Sequence, residues 1–107
     1  MSSQHYKQRI IKDIQNEDIR IQVTGYVKKI INNESMILDD KSGEITVLFK
    51  DTDFKIEETH LITIFGEINI TISGEKTFVA DIIQDKKDLI FEYYQKLYDL
   101  KKELNLI

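Results

Sequence analysis

The sequence of 107 residues has no cysteine, no proline and no tryptophan, and it has only four glycines. Without cysteine, and with only two histidines, the chain can build neither a disulfide framework nor a Cys/His zinc site. We therefore expect no metal and no cofactor. No apolar run approaches the ~20 residues that cross a bilayer, and the first residues lack the apolar stretch of a signal peptide. These absences predict a protein that stays inside the cell, away from membranes.

The composition that remains favours one folded, sheet-rich domain. Hydrophobic residues make up 41% and charged residues 32%, a balance that suits a folded protein rather than a disordered chain. The length is typical of a single domain. There are 19 isoleucines against one alanine, and β-branched side chains favour strands over helices.

Charge is unevenly distributed along the chain. The net charge is −4, but residues 1–31 carry +3, residues 32–83 carry −7 and residues 84–107 carry 0. Proteins that hold nucleic acid unaided usually present a basic face, because neutralising phosphates supplies most of the non-specific affinity. The overall charge argues against such a protein, although a basic stripe on one face of an acidic domain would still be possible.

Alternating apolar and polar residues predict five strands, over residues 19–31, 35–39, 44–50, 61–72 and 77–83. Gly25 lies in the middle of the first strand, where a strand of a small barrel can bend or accept a bulge. Residues 39–43, with the sequence DDKSG, predict a tight turn. Residues 9–17 predict a short helix or an irregular arm, and residues 51–60 are compatible with a loop or one helical turn.

The end of the chain changes to a helical period. From Asp88, a fair N-cap, one apolar strip is followed by an adjacent aromatic strip, and together they span an arc of ~200°. A helix that packs on its own domain needs only ~100 to 140° of apolar surface, so the surplus predicts contact with helices of other subunits. The predicted oligomerisation residues are Ile90, Phe91, Tyr93, Tyr94, Leu97, Tyr98, Leu100 and Leu104.

These elements predict an all-β protein: a five-stranded OB-fold barrel with a C-terminal amphipathic α-helix. An SH3-like barrel or another five-stranded β-roll is the alternative. The expected division is an N-terminal arm or short helix over residues 1–18, the barrel over residues 19–84, and the oligomerisation helix over residues 85–107.

Three motifs carry a family resemblance. VTGYVKKI at residues 23–30, ILDDKSGEITVLF at residues 37–49 and FGEI at residues 65–68 resemble signatures of nucleic-acid-binding OB folds. With the terminal helix, residues 9–104 resemble the middle or small single-OB subunit of replication protein A and of the related telomere-capping complex. The resemblance implies assembly with larger OB-fold subunits through C-terminal helices, and a complex that binds single-stranded DNA in replication and repair. It implies a location in the cytoplasm or nucleoid of a prokaryote, an archaeon in particular, or in a eukaryotic nucleus.

Seven residues are candidates for nucleic-acid contact, although core packing of the aromatics and solvated surface charge explain them equally simply. They are Arg20, Tyr26, Lys28, Phe49, Lys50, Lys76 and Phe78. If Phe49 keeps the parity of Ile45 and Val47 and points inward, then Lys50 and Thr46 face the groove. Residues 70–72, where the family has a second stacking position, lack an aromatic, and the loops are short, so we expect weak binding.

The sequence alone is compatible with several functions. No Ser, Cys or carboxylate constellation accompanies His5 or His60, so we expect no catalytic residues and no enzyme. One alternative is an OB-fold adaptor that binds protein but not nucleic acid, and another is a small RNA-binding OB module. A chain expressed alone could self-associate through its exposed helix.

Overall fold

The computed structural model describes residues 5–50, 52 and 54–107. The elements are β1 (Lys7–Gln8), a 3₁₀ turn (Ile11–Asp13), β2 (Arg20–Asn32), β3 (Ser35–Asp39), β4 (Glu44–Leu48), β5 (Leu61–Ile70), β6 (Lys76–Asp85) and α1 (Phe91–Glu103). Five strands close into a barrel in the order β2-β3-β4-β6-β5, and β5 pairs back onto β2. All neighbours in the barrel are antiparallel except β4 and β6, which are parallel. This is the predicted OB-fold barrel.

The long strand β2 belongs to both halves of the barrel. Its first half pairs with β5 and its second half pairs with β3, and Tyr26 pairs with residues of both. The register of β2 is regular through Gly25 and becomes irregular only after Val27, so the bulge expected at Gly25 lies further along the strand. A Cβ on Gly25 would lie 2.9 Å from the carbonyl oxygen of Asp39, so this glycine permits a close approach of two backbones.

The barrel interior is filled by the inward-facing half of each strand. In β4, for example, Ile45 and Val47 are buried while Glu44, Thr46 and Leu48 are exposed. This alternation is the period of two that the sequence predicts. The fully buried aliphatic and aromatic residues of the core include Ile21, Val23, Val27, Met36, Leu38, Val47, Ile62, Ile64 and Phe78.

The N-terminal segment is an arm and not the short helix that residues 9–17 could also have formed. β1 adds in parallel beside Ile21 and Gln22, and a single 3₁₀ turn follows. The helical spacing of the isoleucines has another cause, because Ile11 and Ile14 insert into the barrel core. The buried carboxylate of Asp40 accepts the N–H of Ile11 at 2.7 Å, which ties the arm to the turn after β3.

α1 begins later than the sequence indicates and ends in a defined motif. Ile90 occupies the N-cap and makes no side-chain capping bond, so Asp88 is not the cap. At the other end Asn105 has a positive φ of 59°, and the N–H groups of Asn105 and Leu106 donate to the carbonyls of Lys102 and Lys101. This is a Schellman ending. Among the residues that the structure describes, no helix is long and apolar enough to cross a membrane.

The pairing of β5 with β6 requires a second glycine, Gly66. The register of this pair shifts between Phe65 and Gly66, where β6 carries Asp81 as an additional residue. A Cβ on Gly66 would lie 2.1 Å from the carbonyl oxygen of Val79, a distance that no rotamer relieves.

We predict that Gly66→Ala lowers the free energy of unfolding by roughly 3 kcal/mol or more, because backbone must move to admit one methyl group. Gly25→Ala, with 2.9 Å of clearance, should cost less. Gly74→Ala is the control: it meets nothing within 4 Å and should cost only about 1 kcal/mol for its positive φ. Urea unfolding of the three variants measures how much free energy of unfolding each one loses. Equal losses for Gly66→Ala and Gly74→Ala would contradict the predicted order.

Candidate nucleic-acid interface

Three of the four candidate bases are already engaged by groups of the same chain. Arg20 lies 3.6 Å from Glu67 on the neighbouring strand, and Lys28 forms an ion pair with Glu44. Lys76 donates to the carbonyl oxygen of Ile14 at 3.4 Å. The hydrogen bond to Glu44 raises the pKa of Lys28, so a carboxylate already stabilises the charge of this lysine. A phosphate would have to replace that carboxylate. Exposed pairs of this kind are worth only ~0 to 1 kcal/mol, but they cancel the local positive potential.

The fourth base, Lys50, is exposed and lies at the end of β4. It has no ion-pair partner among the residues that the structure describes. Thr46, on the outward side of the same strand, is also exposed, as the parity of β4 predicts. Among the described candidates, β4 and the residues just after it therefore present one unpaired cation and one exposed hydroxyl, not the basic stripe that a strong nucleic-acid site requires.

The three candidate aromatics have three different environments. Phe78 is 0% exposed and belongs to the core, so it cannot contact nucleic acid and is removed from the candidate set. The ring of Tyr26 packs edge-on against Phe91 of α1 with 5.1 Å between ring centroids, and Lys41 lies over it at 5.4 Å. Phe49 is half-buried against the core but lines a surface cleft. Phe49 and Tyr26 both remain near an accessible surface, because Tyr26 is also half-buried and lines a separate pocket with Lys28 and Lys41.

This cleft, which we call the β4–β6 cleft, opens where β4 ends and β6 continues. Its volume is about 780 Å³, and its walls are residues 48–50 and 79–83 with Glu34 and Thr52. The apolar walls are flanked by the carboxylates of Glu34 and Asp81 and by the ammonium group of Lys50. Two acids against one base do not favour a phosphate backbone.

The aromatic strip of α1 packs on its own chain. Phe91 and Tyr98 are buried, and Tyr94 is half-buried and stacks on Phe91 with 6.0 Å between ring centroids. The hydroxyl of Tyr98 donates to Asp13 at 2.8 Å, and that of Tyr94 accepts from Gln8 at 3.0 Å. The prediction that Phe91 and Tyr98 mediate oligomerisation is therefore wrong. Both side chains make intramolecular contacts instead, because β2 and the arm already cover them.

The other apolar strip of α1, which has one tyrosine among aliphatic residues, is exposed. Its five members have between 50% and 62% of their surface accessible, and they follow one another at spacings of three and four residues along one side of the helix. We call these five residues the α1 seam: Ile90, Tyr93, Leu97, Leu100 and Leu104.

No pattern in the sequence indicates the residues that orient α1. Lys102 donates to Asp13 at 2.9 Å and Lys101 donates to Gln8 at 3.2 Å. Asp13 therefore accepts two hydrogen bonds from the helix, while Gln8 donates one to Tyr94 and accepts one from Lys101. Burial alone would raise the pKa of Asp13, but hydrogen bonds from Lys102 and Tyr98 outweigh it and hold the pKa below its usual value. These contacts join residues more than 80 positions apart, and no local pattern signals them.

No group of three His, Asp or Glu side chains able to hold a metal ion occurs in the described part of the chain. His60 pairs with Asp85 at 2.8 Å and packs edge-on against Phe54, which anchors the segment before β5 to the end of β6.

Comparison with known proteins was made by family, by sequence and by structure. No protein-family model matches the chain, and no curated protein is significantly similar to it in sequence. The structural neighbours include the telomere-capping protein Ten1 from S. pombe, with a TM-score of 0.76 and 16% identity over 92% of this chain and 99% of that chain. A chain of the S. pombe Stn1–Ten1 complex has a TM-score of 0.75 and 18% identity over 95% of this chain and 96% of that chain.

A third neighbour is a chain of a replication protein A heterotrimer bound to single-stranded DNA. Its TM-score is 0.65 at 12% identity, and the match covers 81% of this chain and 73% of that chain. The neighbours are therefore OB-fold chains of the two kinds that the sequence motifs resemble. Structural similarity at 12% to 18% sequence identity establishes a shared fold. The comparisons therefore confirm the family resemblance at the level of the fold.

The bond between Tyr98 and Asp13 generates a prediction for alkaline pH. Burial and, next, the hydrogen bond to Asp13 raise the pKa of Tyr98 to about 12 from 10.0. Between these two values the unfolded chain has lost the phenolic proton while the folded chain keeps it, so stability falls as pH rises. We expect this tyrosine to contribute about 2 kcal/mol that is present below pH 10 and lost towards pH 12.

Urea unfolding from pH 8 to pH 12 measures this loss. Tyr98→Phe should lower stability by about 1 kcal/mol at pH 8 and flatten the alkaline slope. Tyr93→Phe, a control on the exposed side of α1, should keep the slope of the unmodified chain. Identical slopes for the two variants would contradict the assignment.

Proposed function

We propose that this chain is an OB-fold subunit of a replication protein A-like single-stranded DNA-binding complex, active in DNA replication and repair mainly as an assembly subunit. The observation that carries the proposal is the α1 seam, five apolar side chains left exposed on a helix whose other apolar strip is already packed. The chain's role is to hold the complex together and to add weak contacts to the DNA strand.

The geometry of the seam specifies the kind of partner. Spacings of three and four residues form a ridge that packs into the groove of another helix. α1 has 13 residues and is therefore about 20 Å long, enough for three to four turns of contact. A partner helix would bury each of these side chains. Full burial of an exposed Leu or Ile contributes ~1.5 to 3 kcal/mol, and because the seam side chains are about half exposed, each would gain roughly half of that.

The inner side of α1 lowers the cost of that association. Tyr98, Lys101 and Lys102 fix the rotation of the helix through bonds to the arm, so the seam is ordered before a partner arrives. A preorganised surface loses less conformational entropy on binding than a disordered tail would.

The neighbouring structures support an assembly role. By their descriptions they come from a Stn1–Ten1 complex and from a replication protein A heterotrimer, both assemblies of several chains. We propose by analogy that the partners of this chain are larger OB-fold subunits of the same complex and that the role is not enzymatic. The seam also provides for self-association when the chain is expressed alone.

The proposed DNA contact is weak for two reasons. Arg20 and Lys28 would have to exchange a carboxylate for a phosphate, a replacement of one ion pair by another. Phe49 is half-buried, which leaves less ring surface than the stacking platforms that supply ~1 to 3 kcal/mol per base. Lys50 and Thr46, exposed at the outward side of β4, are the groups that remain for the strand.

We predict that Leu97→Glu or Leu104→Glu releases the chain from its partners while the barrel stays folded, because a charge in a helix interface is buried without a counter-charge. The mass of the native complex recovered through a tagged chain from its source cells gives the readout, and circular dichroism checks folding. Asp99→Asn, which alters charge by one unit outside the seam, should leave the mass unchanged.

The assembly proposal fails on a specific result: an unmodified chain that is monomeric and copurifies with no larger OB-fold subunit. It also fails if Leu97→Glu and Asp99→Asn behave alike.

A second prediction concerns the DNA contact. In the purified complex, Lys50→Glu should weaken binding to a poly-dT oligonucleotide by a few-fold and reduce the salt slope by about one. Lys87→Glu, at an exposed lysine between β6 and α1, is the matched control and should have little effect.

An adaptor without nucleic-acid binding is the second candidate, favoured by the engaged bases and by the two acids of the β4–β6 cleft. If affinity and salt slope are unchanged in Lys50→Glu, the adaptor is the better account. Matched DNA and RNA strands separate both from an RNA-binding module, because only RNA offers a 2′-hydroxyl.

A further inference from the structure

β6 is paired along its whole length on one side but only in part on the other. β5 pairs with it from Lys76 to Asp85, whereas β4 pairs only with Thr77, Phe78 and Val79. Among the described residues, no backbone hydrogen bond joins residues 80–85 to residues 49–50 or Thr52, which lie on the opposite side of the β4–β6 cleft. Within the part of the chain that the structure describes, this half of β6 is therefore an edge strand, with main-chain donors and acceptors that face the cleft.

The side chains beside this edge are apolar. Leu48 is 42% exposed and Ile82 is 50% exposed, and they belong to the two strands that diverge around the cleft. Phe49, Ala80 and Ile83 are half-buried and form the part nearest the core. An occupant that continues the sheet would therefore meet apolar surface towards the core and partly apolar surface towards solvent.

The charges at the cleft favour a cationic occupant. Among the described residues that line it, Glu34 and Asp81 are acidic and Lys50 is the one base. Asp81 is the additional residue of the β6 bulge, and its carboxylate accepts a hydrogen bond from Tyr6 at 3.0 Å, which holds it in position. The cleft volume of about 780 Å³ lies within the usual range for binding pockets.

We propose that the β4–β6 cleft binds an extended peptide segment of another protein, which adds as a strand to the free edge of β6 at Ala80–Asp85 and carries alternating apolar and basic side chains. A strand of peptide supplies the alternating N–H and C=O groups that an edge lacks, and its alternate side chains reach opposite faces. A DNA strand offers no such ladder, and its phosphates would face Glu34 and Asp81.

The proposal concerns a surface distinct from the α1 seam. Failure of the seam variants would leave the β6 edge untouched, and failure of peptide binding would leave assembly through α1 untouched. Lys50 lies both at the cleft and at the proposed DNA contact, so competition between peptide and DNA forms part of the test.

The probes are two capped eight-residue peptides in which valine and lysine alternate in opposite phase, labelled for fluorescence anisotropy with the full chain. A matched pair carries N-methyl groups on alternate amides, which keep the side chains and remove the donors of the ladder. The protein variants are Ile82→Lys, at the free edge, and Ile72→Lys, a control at the fully exposed turn between β5 and β6.

We expect saturable binding of at least one unmodified peptide, and N-methylation or Ile82→Lys should weaken it roughly tenfold, which equals about 1.4 kcal/mol. Ile72→Lys should change the affinity less than twofold. The proposal is overturned if neither peptide binds, if the N-methylated peptides bind as well, or if both lysine variants behave alike. Displacement of the peptide by oligo-dT through Lys50 alone should disappear in Lys50→Glu. Displacement that persists in Lys50→Glu would assign the rest of the cleft to nucleic acid and overturn the proposal as well.

Discussion

The docking of the aromatic face of α1 onto the arm and β2 is the constraint on which the remaining surface depends. Apolar contact alone would hold a helix against a barrel in several rotations, because most of the circumference of this helix is apolar. The bonds from Tyr98 and Lys102 to Asp13, with the packing of Phe91 on Tyr26, select one rotation. Tyr98 is 1% exposed in that rotation, and the seam is turned away from the barrel. Either apolar strip of α1 could pack on the barrel, and the polar contacts of Tyr98 and Lys102 with Asp13 decide which one does. The exposure of the seam is the consequence.

That contact in turn depends on the arm, which is held at two points. Asp40 accepts the backbone of Ile11 and also bonds Ser42, so the turn after β3 fixes the 3₁₀ turn that carries Asp13. Arg9 and Asp18 form a bidentate pair at 2.9 and 3.1 Å, with both side chains nearly buried, which closes the arm on itself. A buried pair of this kind is costly to break from one side, because it leaves an uncompensated charge. The orientation of the C-terminal helix is therefore set by residues near the other end of the chain.

The parts of the fold that follow a local period could be predicted from the sequence, and the parts that depend on register could not. The alternation of β4 and the two strips of α1 are local, and the five strands and the helix lie close to their predicted positions. Which strip faces the barrel depends on Gln8 and Asp13, residues separated from α1 by most of the chain. The partners of Arg20 and Lys28 likewise follow from cross-strand register, which a single sequence leaves open. The inward direction of Phe78 depends on register as well, because it follows from pairing beside Val47 of β4.

The distribution of charge and apolar surface bears on how this molecule could associate with others. Two of its candidate DNA-contact cations, Arg20 and Lys28, are matched by neighbouring carboxylates, so release of counterions at these two positions can contribute little. Its apolar surplus is instead gathered along one helix side and, to a smaller extent, beside the free edge of β6. Scattered exposed apolar residues need no explanation, but five on one ordered helix form the kind of patch that marks a protein contact. The ion pairs between Arg20 and Glu67 and between Lys102 and Asp13 serve the internal geometry of the chain, and under the assembly proposal apolar burial is the force that would join it to other molecules. If a complex built on this chain binds nucleic acid tightly, most of the phosphate contacts must come from the other subunits.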